Sequence, residues 1–311
     1  MALAMEKTND LPITEDQDSL FEVTKLLPIE RLHNPSAAEI MEKLILPNRA
    51  AILTGVVDSW PCHQKWTMEY ISDRVGNVKV QVPKEFGVYH FLNFKSIPVA
   101  EFVESLTTTK DLYLSADPIM GEKGEIREEC ELKALADDIP IPDFIPKEDI
   151  RNCNLWIGPG GNRSLLHYDA WHSFLAIFSG EKRFTVYHPS QTRYLHHFGV
   201  YDIKALREGR TMDSKVDPVH VQKKYLQSVG HATGFEGVMK PGEALFIPAG
   251  TWHYVESHGL NIALNFFFHA RVGGLWNESP LKEYLYKTQV MYPLLNKLRK
   301  IKGAVEFWKK H

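Results

Sequence analysis

Cysteine is scarce in this sequence. Cys62, Cys130 and Cys153 are the three present, far apart and without a CxxC pair. That spacing excludes a disulfide-stapled secreted framework and a cysteine-rich zinc site, and reads as three ordinary reduced thiols. Long apolar runs are missing as well, since no stretch approaches the ~20 residues a membrane-spanning helix needs. Neither sign of charge dominates. Thirty-six basic residues against 39 acidic ones leave a net charge of -3, so no global basic field argues for a nucleic acid or a membrane. The polar, acidic residues 1–18 lack the pattern of a targeting peptide and read as a disordered lead-in. No internal repeat or low-complexity tract is visible. The simplest expectation is an intracellular protein, cytoplasmic or nuclear, with no membrane partner.

The 311 residues, 44% of them hydrophobic, are ample for a buried core in one large or two modest domains. Residues 19–150 read as an α/β portion. Its first helix opens on the capping box Ser36-Ala37-Ala38-Glu39 and stops at Pro47. A buried strand follows over 50–57, a helix over 68–75, an alternating strand at Val78, Val80 and Val82, a helix over 96–106 and a short strand at 112–114. Residues 115–150, rich in charge and proline, read mostly as loop. From 151 to 272 the pattern becomes strand, glycine or proline break, strand. Strands are expected at 155–157, 164–168, 174–178, 183–187, 244–247, 252–256 and 261–269, which indicates a mainly β barrel or jelly roll. An insert over 194–238 loses that rhythm and is expected to be functional or disordered. Residues 273–311 return to helical periodicity, with Leu294, Leu295, Leu298 and Ile301 on one face. That helix either packs back on the barrel or forms a two-fold homodimer.

The residues able to do chemistry sit in the β-rich part. In His167-Tyr168-Asp169 the first and third side chains share one face of a strand while Tyr168 points away. An imidazole and a carboxylate side by side are two metal ligands. His253, opening a strand just after Pro248-Ala249-Gly250, is positioned to be a third. Two histidines and a carboxylate suit a non-haem iron(II) oxygenase. A lone H-x-D among 14 histidines fits a polar pair in a barrel mouth equally well. His172, on the opposite pleat, reads as a support behind the ligands or as structural, and His269 as core. Lys182 follows the turn Ser179-Gly180-Glu181. It is either a surface lysine or an inward ammonium that needs an anion.

Two long motifs favour the sharper readings. The run from Ser164 to Pro189, S-L-L-H-Y-D-A-W-H-S-F-L-A-I-F-S-G-E-K-R-F-T-V-Y-H-P, resembles the core of JmjC hydroxylases. So does P-G-E-A-L-F-I-P-A-G-T-W-H-Y-V-E-S over Pro241–Ser257, followed by N-I-A-L-N-F-F-F from Asn261. The likeness extends upstream to P-N-R-A-A-I-L-T-G-V-V-D-S-W-P, covering about residues 30–275, and the small protein hydroxylases are the nearest in size. It implies a cupin-like double-stranded β-helix with iron(II) held by His167, Asp169 and His253. It implies that Lys182 pairs with the distal carboxylate of 2-oxoglutarate, that Ser164 and Tyr113 hydrogen-bond the same group, and that Asn265 lies near metal and co-substrate. Ser173 stands where several family members carry asparagine, which changes the reach of that hydrogen bond. Dioxygen is the further co-substrate, with succinate and carbon dioxide as co-products.

The resemblance implies hydroxylation of a protein side chain, with a protein or peptide as partner. An RNA hydroxylase and a lysine demethylase are alternatives of the same mechanism. A non-catalytic cupin-like binding protein and a zinc or manganese isomerase are the competing classes, and the latter gives Lys182 no task. Trp171, Trp252 and Phe267 read as core before pocket wall.

Overall fold

The computed structural model of the protein describes residues 19–83, 94–109, 112–199, 202, 204–205 and 210–269. The lead-in at 1–18 and the carboxyl-terminal helices, with their expected dimer contact, lie outside the described residues. Before the barrel come α1 (Leu20–Val23), β1 (Lys25–Pro28), β2 (Arg31–His33), α2 (Ala37–Ile40) and β3 (Ala51–Thr54). After α2 the chain continues as one π-helical turn over Met41–Ile45. The Ser36–Glu39 capping box forms as expected, with the serine hydroxyl accepting from the Glu39 amide at 3.2 Å. Next are α3 (Pro61–Lys65), α4 (Met68–Val75), β4 (Lys79–Pro83), β5 (Phe94–Pro98) and α5 (Val99–Ser105). The helix expected from Ser96 therefore starts at Val99. Pro98, fixed in an extended conformation, caps it, and Ser96 belongs to the preceding strand. The segment read as loop from 115 begins with a strand, β6 (Leu114–Met120).

The β-rich part contains β7 (Ile150–Gly158), β8 (His167–Tyr168), β9 (His172–Tyr187), helix α6 (Lys223–Val229), β10 (Thr233–Met239), β11 (Glu243–Ile247) and β12 (Trp252–Phe268). The expected strand pairs 174–178/183–187 and 252–256/261–269 are each one continuous strand, of 16 and 17 residues. Glycine bends these strands without ending them. Gly180 (φ 72°) and Gly259 (φ 69°) sit at the bends. A Cβ at Gly180 would lie 2.2 Å from the Asn261 amide nitrogen and 2.7 Å from the Leu260 carbonyl oxygen, so only glycine fits.

β9 and β12 pair antiparallel along nearly their whole length and pass from one sheet of a jelly roll into the other. Their 172–179 and 262–268 halves join β2-β3-β11 on one side and β7-β6 on the other. Their 182–187 and 252–258 halves join β10-β1 and β8. The fold is mainly β, with the helices of the amino-terminal portion packed on the first sheet. Alternation along the strands divides the apolar residues three ways. Phe174, Ala176, Leu155, Leu264 and Phe266 face outward onto those helices. Tyr168, Tyr187, Trp252 and Tyr254 face outward from the second sheet, onto α1 and the insert. Between the sheets lie Leu175, Ile177, Phe184, Val186, Leu245, Ile247 and Ala263.

The insert is tied to this frame. It contains α6 and, at its end, β10, which pairs with both β9 and β1. β10 escapes a reading by hydrophobic alternation because it is glycine-bearing and half-exposed, with Phe235 and Val238 turned to the surface. Among the described residues no helix is long and apolar enough to cross a membrane. The three cysteines are buried and unpaired with one another.

Candidate active site

β8 and β12 are neighbours in the second sheet, with His167 directly opposite His253. Tyr168 turns outward onto the Trp252 ring, 4.9 Å away between centroids. The alternation of the strand therefore sends His167 to the inner side. Asp169 lies just beyond the end of β8, and its carbonyl accepts the Gly250 amide at 2.8 Å. One ligand atom from each of His167, Asp169 and His253 falls within 4.8 Å of the others. The His253 Nε2 atom is 3.5 Å from Asp169 Oδ2, and the two imidazole centroids are 4.2 Å apart.

Both rings are aimed by the same local device. His167 Nδ1 donates to the carbonyl of Leu165 at 2.8 Å, and His253 Nδ1 to that of Thr251 at 3.0 Å. A carbonyl only accepts, so each Nδ1 carries the proton and each Nε2 presents a lone pair to the cluster. Burial, then the neighbouring His167, lowers the pKa of His253 to about 4, with Asp169 opposing. The ring is thus neutral near pH 7, as metal binding requires. Two imidazole nitrogens and a carboxylate oxygen converging from one side are a donor set that fits a divalent iron ion.

Four residues along β12 from His253, on the same inner side, lies Ser257. Opposite it on β9 is Lys182. The lysine is 3% exposed, and its Nζ donates to Ser257 Oγ at 2.7 Å. Among the described residues no carboxylate pairs with it. Burial pulls this ammonium down to about 8. A buried cation whose neighbour is a hydroxyl leaves a place for an anionic guest. The surface alternative for Lys182 is excluded.

The first sheet supplies the facing wall. Asn265 and Asn154 are opposite each other on β12 and β7, and both are buried. Ser173 donates to Asn265 Oδ1 at 2.8 Å, so the shorter side chain at this position reaches the asparagine and leaves the Asn265 amide nitrogen for another acceptor. Ser164 accepts the Val255 amide on its hydroxyl at 2.9 Å and keeps its own proton to donate. Tyr113 is half-buried, with its ring 6.0 Å from that of Trp156, a residue packed against the cluster between the sheets. Trp252 is core, fully buried, with its Nε1 donating to Thr192. Trp171 and Phe267 meet edge to face at 6.4 Å. His269 is exposed, contrary to its expected place in the core, because β12 ends at Phe268.

Two features escape the sequence. Ser257 could have been found by alternation, being an even number of residues from His253. Asp213 had no such signal, because it lies in the insert. There it forms a bridge with His167, while its carboxylate accepts from Arg210 Nε at 3.1 Å. Burial raises the pKa of Asp213, and Asp169 adds to the rise while Arg210 and His167 oppose it.

Residues 37–273 match the family described as Cupin-like domain. The chain belongs to this family, and its relatives place it in the JmjC branch. It is 30% identical over 250 residues to Lysine-specific demethylase 8 of Xenopus tropicalis, covering 77% of this chain and 52% of that protein. Lysine-specific demethylase JMJ30 of Arabidopsis thaliana is 25% identical, with 79% of this chain and 58% of that protein covered. The tRNA wybutosine-synthesizing protein 5 of Gallus gallus is 27% identical over 242 residues, 72% of each chain. The JmjC chain described here thus spans about half the length of the frog demethylase it matches.

Proposed function

We propose that this protein is an iron(II)- and 2-oxoglutarate-dependent dioxygenase that hydroxylates a side chain of a protein substrate, releasing succinate and carbon dioxide. The observation that carries the reading is the pairing of two features on the inner side of one strand pair. Three metal-ligand atoms lie within 4.8 Å of one another, and a buried ammonium with no carboxylate partner among the described residues lies four residues further along the same strand pair. At a rise of about 3.4 Å per residue, His253 and Ser257 are roughly 14 Å apart along β12. A lysine side chain and a short diacid can share that span. An isomerase reading leaves the ammonium without a task.

His167 and His253 would hold the iron through Nε2, and Asp169 through its carboxylate. Bound there, iron supplies dioxygen activation coupled to oxidative decarboxylation of the 2-oxo acid. Lys182, steadied by Ser257, binds the distal carboxylate and fixes the direction in which the co-substrate enters. The Ser164 hydroxyl and Tyr113 contribute further hydrogen bonds to it. Asn265, held by Ser173, turns its amide nitrogen toward the same space. Leu175, Ile177, Phe184 and Val186 close the interior and exclude water. Action on a protein side chain fits the relatives named lysine-specific demethylases.

RNA is the second substrate reading, and one observation favours it. Beside the candidate site the insert pairs cations with rings. Arg210 and Lys215 lie over Phe198 at 4.9 and 5.3 Å, and Lys224 over Tyr225 at 4.7 Å. Succinate release in air by anaerobically purified, iron(II)-loaded protein, against peptide, protein and RNA pools, tests both readings. The expected result is release stimulated by a protein or peptide fraction and abolished in His167→Ala. Stimulation by RNA alone replaces the substrate assignment, and equal release from wild type and variant ends the catalytic one.

A further inference from the structure

We infer that His172 is a positioning residue for the metal centre, holding through Nδ1 the turn that sets Asp169 and His253 against each other. The inference rests on the reading that His167, Asp169 and His253 bind a metal.

The turn Pro248–Thr251 touches two of the three ligands through its backbone. The Gly250 amide donates to the Asp169 carbonyl at 2.8 Å, and the Thr251 carbonyl accepts from His253 Nδ1 at 3.0 Å. The turn closes on itself, with the Thr251 amide donating to Pro248 O at 3.1 Å, and Gly250 takes φ 78°. A shift of this segment therefore moves the aspartate and the aim of the second imidazole together. Its link to β9 is the Ala249 amide, which donates to His172 Nδ1 at 3.0 Å. Ala249 is fully buried, so without this acceptor its N–H would be an orphan away from water.

The environment of the imidazole shows that the acceptor is its purpose. His172 is 1% exposed and packs between the Phe246 and Phe268 rings, at 5.5 and 5.2 Å. Burial lowers its pKa to about 4, so the ring is neutral, and with Nδ1 accepting, the proton sits on Nε2. That Nε2 has no hydrogen-bond partner among the described residues. An apolar side chain would fill this aromatic niche with no unsatisfied polar atom of its own. What only a polar residue supplies is the acceptor for Ala249.

Leucine and asparagine are close in shape and differ in that acceptor, because asparagine Oδ1 falls near the place of histidine Nδ1. Cobalt(II) affinity and visible spectrum, measured on the full chain without 2-oxoglutarate, therefore isolate the role. His172→Leu is expected to weaken cobalt binding by about 10- to 100-fold, the usual size of an orienting effect beyond the ligands, and to shift the ligand-field bands. His172→Asn is expected to stay within about threefold of wild type. Equal affinity and spectra in the two variants, with tight binding by wild type, overturn the inference alone. Wild type binding no better than His167→Ala removes the metal reading and this inference with it. Should H172L not fold, hydrogen exchange on the metal-free wild type decides. An Ala249 amide protected like those of β9 supports the clamp, and one exchanging like an exposed turn overturns it.

Discussion

At one end of the inner side of β12, His253 is neutral, buried and aimed by a carbonyl two residues before it. Its partners His167 and Asp169 each place a ligand atom within 4.8 Å of it. Four residues on, Ser257 faces Lys182, a buried cation with one neutral hydrogen bond and no counter-charge among the described residues. The first region is organised by its own backbone. The second, under the proposed function, would be completed by an anion from outside. One strand pair thus carries a gathered ligand cluster and a buried ammonium with no counter-charge among the described residues, and the difference separates what the fold itself holds from what the proposed co-substrate would bring.

Breaking the ligand cluster should have the largest effect. His253→Ala is expected to abolish succinate formation and to weaken divalent-metal binding by more than about 100-fold, read by anaerobic titration, with little change in 2-oxoglutarate contacts at Lys182. Removing the ammonium should separate affinity from stability. Lys182→Met is expected to raise KM for 2-oxoglutarate about 100-fold, the size seen when one member of a buried ionic contact is removed. The metal-free, guest-free protein should lose no thermal stability, because an uncompensated buried charge is removed with the side chain.

The pH dependence sharpens the same contrast. The folded pKa of Lys182, about 8, lies below the ordinary lysine value of about 10.4. Between the two the unfolded chain binds more protons, so guest-free stability rises as pH climbs through this window and then levels off. Affinity for 2-oxoglutarate runs the other way. It is flat below about pH 8 and falls by up to about tenfold per unit above it, a slope that Lys182→Met should erase. Calorimetric titration across pH 6.5 to 9.5 checks this; a wild-type affinity that is flat to pH 9.5 would contradict it (range chosen around the roughly 8 expected).

Smaller changes test the supports. Ser257→Ala removes the hydrogen-bond partner that the ammonium has among the described residues and should raise KM for 2-oxoglutarate about three- to tenfold without changing metal affinity. Ser173→Ala frees Asn265 Oδ1 and should cost about 1 kcal/mol of stability, measured by denaturant unfolding.

The ligand cluster was legible because its logic is local. Strand alternation puts His167 and Asp169 on one side, and the turn ahead of His253 marks a strand start. Lys182 stayed ambiguous from its residues alone, since a lysine after a glycine turn is most often at the surface, and the resemblance to JmjC hydroxylases decided between the readings. The breaks misled where glycine usually ends a strand. Gly180 and Gly259 instead bend β9 and β12 from one sheet to the other at positive φ, and at Gly180 Asn261 and Leu260 also pack too closely for a Cβ. β10 was hidden because its exposure follows pairing with β1 and β9 rather than burial of one side. The contact of His172 with Ala249 joins residues 77 apart, and no periodicity encodes it.

The most direct test of the central claim is a crystal structure grown anaerobically with manganese(II), as an inert stand-in for iron, and 2-oxoglutarate. The account predicts one ion bound by His167 Nε2, His253 Nε2 and the Asp169 carboxylate, with the distal carboxylate of the diacid on Lys182 Nζ. An ion held by other residues, or a diacid whose carboxylates both avoid Lys182, would contradict it.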